Sequence, residues 1–172
     1  MANDLRAPVP RPAYAAPRAS DAALDPVDRT LVRLLAEDGR MPNAALAAAA
    51  GIAPSTCLVR VRGLRERGVI RGFHADVDPA AVGRPLAALV AVRLLPDARA
   101  RIPEFARHLA SLPGVVNVYF VAGINDFQVH ITAGTADDLR DFVVTLNATA
   151  QVAGTETSLI FEHTGNPAGS GS

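Results

Sequence analysis

The sequence predicts an α+β chain in two parts, three helices with a small hairpin first and a βαββαβ module after it. Three observations carry that expectation. Between Asp25 and Leu64, apolar residues recur at helical spacing and are punctuated by Gly39 and Gly51, with Gly68 just beyond. From Leu86 onward, β-branched and alternating runs take turns with two helical stripes. Charge divides along the same line, with eight arginines against five acids over 25–75 and six against eight over 84–172. The whole chain is neutral, so a basic module beside an acidic one is the natural reading.

In the first part, Asp25 is a natural N-cap, Pro26 suits the first helical position, and Asp28 adds negative charge to the first turn. Val27, Leu31, Leu34 and Leu35 then share one face, and Gly39 closes the helix. A second helix begins near Asn43, turns Leu46, Ala47 and Ala50 inward, and stops at Gly51. A third begins at Pro54, carries Cys57, Val61 and Leu64 at helical spacing, and ends at Gly68. The runs "VIRGF" and "HADVD" suit a short hairpin. Helix, helix, glycine turn, helix, hairpin is the layout of a winged helix-turn-helix, whose third helix enters a DNA major groove.

In the second part, "RPLAALVAVRLL" reads as a strand and "RIPEFARHLASL" as a helix burying Ile102, Phe105, Leu109 and Leu112. The strands "GVVNVYFVAG" and "DFQVHITAG" are joined by "GIND". Thr135 caps the next helix with Asp138 three residues on, and Leu139, Phe142, Val143 and Leu146 form its apolar stripe. The alternating "GTETSLIFEH" closes the module. This order makes a ferredoxin-like sheet with both helices on one face, and the bare face implies self-association. Expected boundaries are a disordered arm over 1–23, the helix-turn-helix domain over 24–83, the sheet domain over 84–163 and a disordered tail over 164–172.

Composition narrows the function classes. The best apolar run is broken by Arg93, Pro96 and Asp97, short of the roughly 18 residues that a membrane helix needs. The arginines near the start have no continuous apolar segment behind them, which argues against a secretory signal. Cys57 is the only cysteine, so an internal disulfide or cysteine-built metal site is excluded, and a cytoplasmic location is expected. His74, His108, His130 and His163 lack metal-ligand spacing, and neither a nucleophilic triad nor a phosphate loop emerges. No cofactor is expected, and no catalytic residue.

Two constellations remain. With Cys57, Val61 and Leu64 seated inward, the third helix offers Ser55, Thr56, Val59, Arg60 and Arg62 outward, with Leu58 on the flank. Ser55, Thr56 and Arg60 suit base edges, and Leu58 and Val59 suit thymine methyl groups. Arg62, Arg65, Arg67 and Arg71 suit phosphates, which would make affinity fall with salt. The bland alternative is a solvated helix face. The second constellation is the turn Gly123-Ile124-Asn125-Asp126, led into by Tyr119 and Val121. Its backbone N–H groups suit a carboxylate and Asp126 an ammonium, as a free amino acid requires. The same four residues also make a good hairpin connection with no ligand.

The stretches "LDPVDRTLVRLLAEDGR", "AALAAAAGIAPSTCLVRVRGLRERGVI" and "VAGINDFQVHI" resemble, in this order, those of the Lrp/AsnC (leucine-responsive/asparagine regulator, feast/famine) transcription factors. The resemblance covers roughly residues 24–163 and includes Arg60, Leu64, the exit at Gly68 to Ile70, Gly123 and Asp126. It implies a regulator that binds a pseudo-palindromic operator as a homodimer, assembling to a tetramer or octamer, with an amino-acid effector at the turn where dimers meet. Four positions depart from the family pattern. Ala53 replaces the usual serine cap, at a cost of about 1 kcal/mol. Leu58 and Val59 stand where polar residues are frequent, and Ala122 where threonine is usual. Sirohaem decarboxylases resemble the same family and offer an enzyme alternative; a basic third helix is not what such an enzyme needs. A sensing module that has lost DNA is a third reading.

Overall fold

The structure, a computed structural model, describes residues 24–163. The arm and tail expected over 1–23 and 164–172 lie outside the described residues. Those described divide into two compact units, residues 24–76 and Val77–His163.

The first unit holds α1 (Pro26–Glu37), α2 (Asn43–Ala49) and α3 (Pro54–Glu66). Asp25 caps α1 as expected, its Oδ1 accepting the Asp28 N–H at 2.7 Å. Leu31, Leu46, Ala47, Cys57 and Leu64 form the core, with Val27, Leu34, Leu35 and Val61 packed around it. Fully burying a leucine side chain stabilises by about 1.5–3 kcal/mol, so these few contacts hold the three short helices together.

Two glycines shape α3. Gly51, at φ 68°, lets its own N–H reach Ala48 O and the Ile52 N–H reach Ala47 O, which closes α2 and reverses the chain. Gly68, at φ 72°, repeats the pattern, with Gly68 N–H on Arg65 O and Val69 N–H on Leu64 O. Between these closures the axes of α2 and α3 are bent by 96°, as in a helix-turn-helix. The Asn43 side chain ties the two together by donating to Pro54 O at 3.0 Å.

The expected wing hairpin does not form. Residues 71–78 lie outside any strand and are exposed throughout. The two runs are five residues long, Val69 and Ile70 of the first pack against the helical core instead, and an isolated two-stranded ribbon of that size is marginal in water. Phe73 instead rests beside Gly39, where an added Cβ would come within 3.1 Å of its ring.

The second unit carries β1 (Leu86–Leu94), α4 (Ile102–Ser111), β2 (Val115–Phe120), β3 (Phe127–Ala133), α5 (Ala136–Asn147) and β4 (Val152–Ile160). The strands are antiparallel in the order β2-β3-β1-β4, the ferredoxin-like arrangement that the sequence predicts. Val90, Val92, Phe127 and Val129 face the helices and pack with Phe105, Leu109, Leu139 and Leu146. Register places Leu89 beside His130 and Tyr119 beside Gln128 on the opposite face, which no described helix of this unit covers. The capping box at α5 is complete: Thr135 Oγ1 accepts the Asp138 N–H at 3.1 Å, and the Thr135 N–H donates to Asp138 Oδ2 at 2.9 Å.

Candidate nucleic-acid interface and ligand turn

α3 is seated by Cys57 and Leu64, both fully buried. Ser55, Thr56, Leu58, Val59, Arg62 and Arg65 are exposed on its outer side. Leu58 and Val59 show 56 % and 67 % of their surface to solvent, far more than a helix interior position allows. Arg71 is exposed beyond the helix end. Arg62, Arg65 and Arg71 make no ion pair among the described residues.

Arg60 and Arg67 differ from this expectation. Arg60 Nη1 lies 2.6 Å from Asp25 Oδ2 and 2.9 Å from Asp28 Oδ1. Arg67 Nη2 lies 2.7 Å from Asp28 Oδ2. Both guanidiniums are therefore turned toward α1, an arrangement that the sequence reading of Arg60 as a base-edge residue and Arg67 as a phosphate residue did not anticipate. The physical cause is Asp28, a buried carboxylate that would be costly without a counter-charge. The Asp28 N–H, and then Arg60, hold the Asp25 carboxyl below its ordinary range, while the two carboxylates raise Arg60. A sequence signal existed: Arg60 follows Cys57 by three residues and precedes Leu64 by four, which puts it on the seated stripe.

The second constellation lies between β2 and β3. Gly123 has φ 129°, a conformation that other residues rarely adopt, and open space around it. Ile124 is 81 % exposed, Tyr119 is exposed, and Val121 and Asn125 are half-buried. The Val121 N–H donates to Asp126 O and the Asp126 N–H to Val92 O, each at 2.9 Å. Asp126 Oδ2 accepts the Leu94 N–H at 2.8 Å and its Oδ1 pairs with Arg99 Nε at 3.0 Å. That carboxylate staples the turn to β1. Two concavities of about 390 Å³ lie elsewhere in this unit, one around Arg101, Glu104 and His108 and one around Arg84, Gly114 and Phe142. Neither is lined by the turn.

Among the described residues no group of histidine, cysteine or acidic side chains is arranged to hold a metal. Cys57 is buried, which pushes its thiol up. Burial, and secondarily the charge of His163, pulls His130 down on the uncovered sheet face. No single described helix is long and apolar enough to cross a membrane.

Comparison with known proteins agrees with both units. Residues 24–65 match the AsnC-type helix-turn-helix domain, and residues 87–166 match the Lrp/AsnC ligand binding domain. The chain is 55% identical over 141 residues to the HTH-type transcriptional regulator AldR of Mycolicibacterium smegmatis, covering 81% of this chain and 82% of that protein. It is similar to the crystal structure of MtbAldR, with a TM-score of 0.74 and 49% identity over 82% of this chain and 94% of that one. It is also similar to a transcriptional regulator of Neisseria meningitidis solved as an L-Met complex, with a TM-score of 0.76 and 26% identity over 84% and 94% of the two chains.

Proposed function

The chain belongs to the Lrp/AsnC family of transcriptional regulators, and on that premise we propose that α3 binds double-stranded DNA and that the 123–126 turn responds to a free amino acid. One observation carries the DNA reading. The outer face of α3 exposes Ser55, Thr56, Leu58, Val59, Arg62 and Arg65 while Cys57 and Leu64 anchor the helix from beneath. The Ser55 and Thr56 hydroxyls read base edges, and Leu58 and Val59 meet thymine methyl groups in the major groove. Arg62, Arg65 and Arg71 neutralise phosphates.

The effector reading rests on different support. Gly123 bends the backbone where only glycine is comfortable, and Ile124 beside it is 81 % exposed among the described residues. A relative carries L-Met. The turn lines neither concavity, so a second copy of the chain completes the site, and the effector acts by favouring one assembly over another. The uncovered sheet face supports a homodimer that assembles further, to a tetramer or octamer. Such a dimer reads a pseudo-palindrome with half-sites about one helical turn apart. Binding to operator DNA fits a cytoplasmic regulator. The sirohaem-decarboxylase alternative gains no support, because the relatives are named as transcriptional regulators.

The test is a gel-shift titration on the DNA upstream of the chain's own coding sequence, repeated across salt concentrations, with thermal-shift screening of the standard amino acids. Salt-sensitive retardation on that DNA, and a melting shift with one or a few amino acids, are the expected results. Retardation that ignores salt removes the DNA reading. A flat amino-acid screen removes the effector reading.

A further inference from the structure

The guanidiniums of the first unit fall into two sets. Arg62, Arg65 and Arg71 face outward, whereas Arg60 and Arg67 face α1. The inward pair shares one carboxylate without competing for it. Asp28 Oδ1 takes Arg60 Nη1 at 2.9 Å, and Asp28 Oδ2 takes Arg67 Nη2 at 2.7 Å. Arg60 Nη1 continues to Asp25 Oδ2 at 2.6 Å, and Asp25 Oδ1 accepts the Asp28 N–H at 2.7 Å. The start of α1 and two separate points on α3 are thereby closed into one network.

The separation of those two points matters mechanically. Arg67 follows Arg60 by seven positions, about 10 Å along a helix axis at about 1.5 Å per residue. A helix held at one point can pivot about it; held at two points that far apart, its direction is set. The side chain of Asp28 is 8 % exposed, so water does little to loosen the attachment.

We propose that Arg60, Arg67 and Asp28 are positioning residues: they clamp α3 to α1 and set the angle at which Ser55, Thr56, Leu58, Val59 and Arg62 meet the duplex. This rests on the DNA-binding reading of α3. The clamp has a second effect. Asp28 withholds two cations from the phosphates, which lowers sequence-independent attraction and leaves selectivity to the outer face.

The test uses the full chain and variants R60A, R62A, R65A and D28N, with melting temperature measured for each. Affinity is titrated against salt on a duplex of random sequence and on the chain's own upstream DNA. Each of R62A and R65A flattens the plot of log affinity against log salt by about 0.9 and leaves the melting temperature alone. R60A leaves that slope unchanged, lowers the melting temperature and narrows the ratio of upstream to random affinity several-fold. D28N leaves Arg67 without its acidic partner and Arg60 with Asp25 alone, so it steepens the slope while narrowing the same ratio. Should D28N fail to fold, D28E keeps the charge but displaces the clamp by one methylene, which narrows the ratio at constant slope. The clamp is overturned if R60A flattens the slope as R62A does, or relaxes choice at a single base pair with unchanged melting. It is equally overturned if the Asp28 variant that folds matches the parent in slope and ratio. A parent chain that retards neither duplex sinks the DNA-binding reading, and the aiming role with it, a result distinct from the two that sink the clamp alone.

Discussion

α3 and α5 are the same helix seen from below and different helices seen from outside. Each buries two residues seven apart, Cys57 and Leu64 in one and Leu139 and Leu146 in the other. The outer charges differ. Arg140 of α5 is neutralised by its neighbours, 2.8 Å from Asp137 and 3.2 Å from Asp141. Arg62 and Arg65 of α3 have no acidic partner among the described residues, and the one acid beside them, Glu66, makes no ion pair. The starts differ too: α5 opens in a full capping box, whereas α3 opens at Ala53 with no side-chain cap. The missing cap is shared with α2 and α4, so the unpaired outer arginines are what set α3 apart from α5 among the described residues.

The likeness below is broken or confirmed by the largest effects. Leu64→Ala and Leu146→Ala should each cost about 2–5 kcal/mol in urea unfolding, because both side chains are almost fully buried. A loss under about 1 kcal/mol at either site would show that the two undersides are not equivalent. Next comes the closure of α3: Gly68→Ala forces a side chain into φ 72° and should cost about 1–2 kcal/mol by the same measurement. The difference at the starts is smaller. Thr135→Ala should cost about 1 kcal/mol, and Ala53→Ser should gain a similar amount or less if the capping geometry is available. Equal responses of α3 and α5 to these two changes would erase that contrast. Smallest is Arg140→Ala, expected within about 0.5 kcal/mol because all three partners are exposed.

Acid sharpens the picture of the α1–α3 clamp. The folded state holds the Asp25 carboxyl below its ordinary value, so its contribution is full at neutral pH. It fades only as pH falls through that depressed value, on the acid side of an ordinary carboxylate. Asp25→Asn should therefore flatten the acid limb of the stability profile and leave the shape near neutrality unchanged. An acid limb identical to the parent's would show that Asp25 is not a member of the network.

Much of the fold could be read in advance because its signals are local. Pro26 after Asp25, Gly51 and Gly68 as helix stops, and Thr135 with Asp138 each act within four residues, and each stands where it was expected. The errors were non-local. The wing was inferred from two short runs, and whether such runs pair depends on an apolar face that a five-residue segment does not reveal. The pairing of Asp126 was not legible because Arg99, 27 residues earlier, leaves no periodic trace near the turn. The pairing of Arg60 was the legible case. Its charge suggested an outward residue, but its position between Cys57 and Leu64 placed it on the seated stripe, where only a buried acid such as Asp28 makes an arginine tolerable.

The paired glycine closures around α3 carry a consequence for how such a chain changes its target. Both ends of the helix are terminated by backbone geometry, and its underside is occupied by two apolar residues. Residues 55, 56, 58, 59 and 62 are left with no structural duty. That makes the segment a cassette, whose outward letters can be rewritten singly or together while the housing that holds it stays as it is.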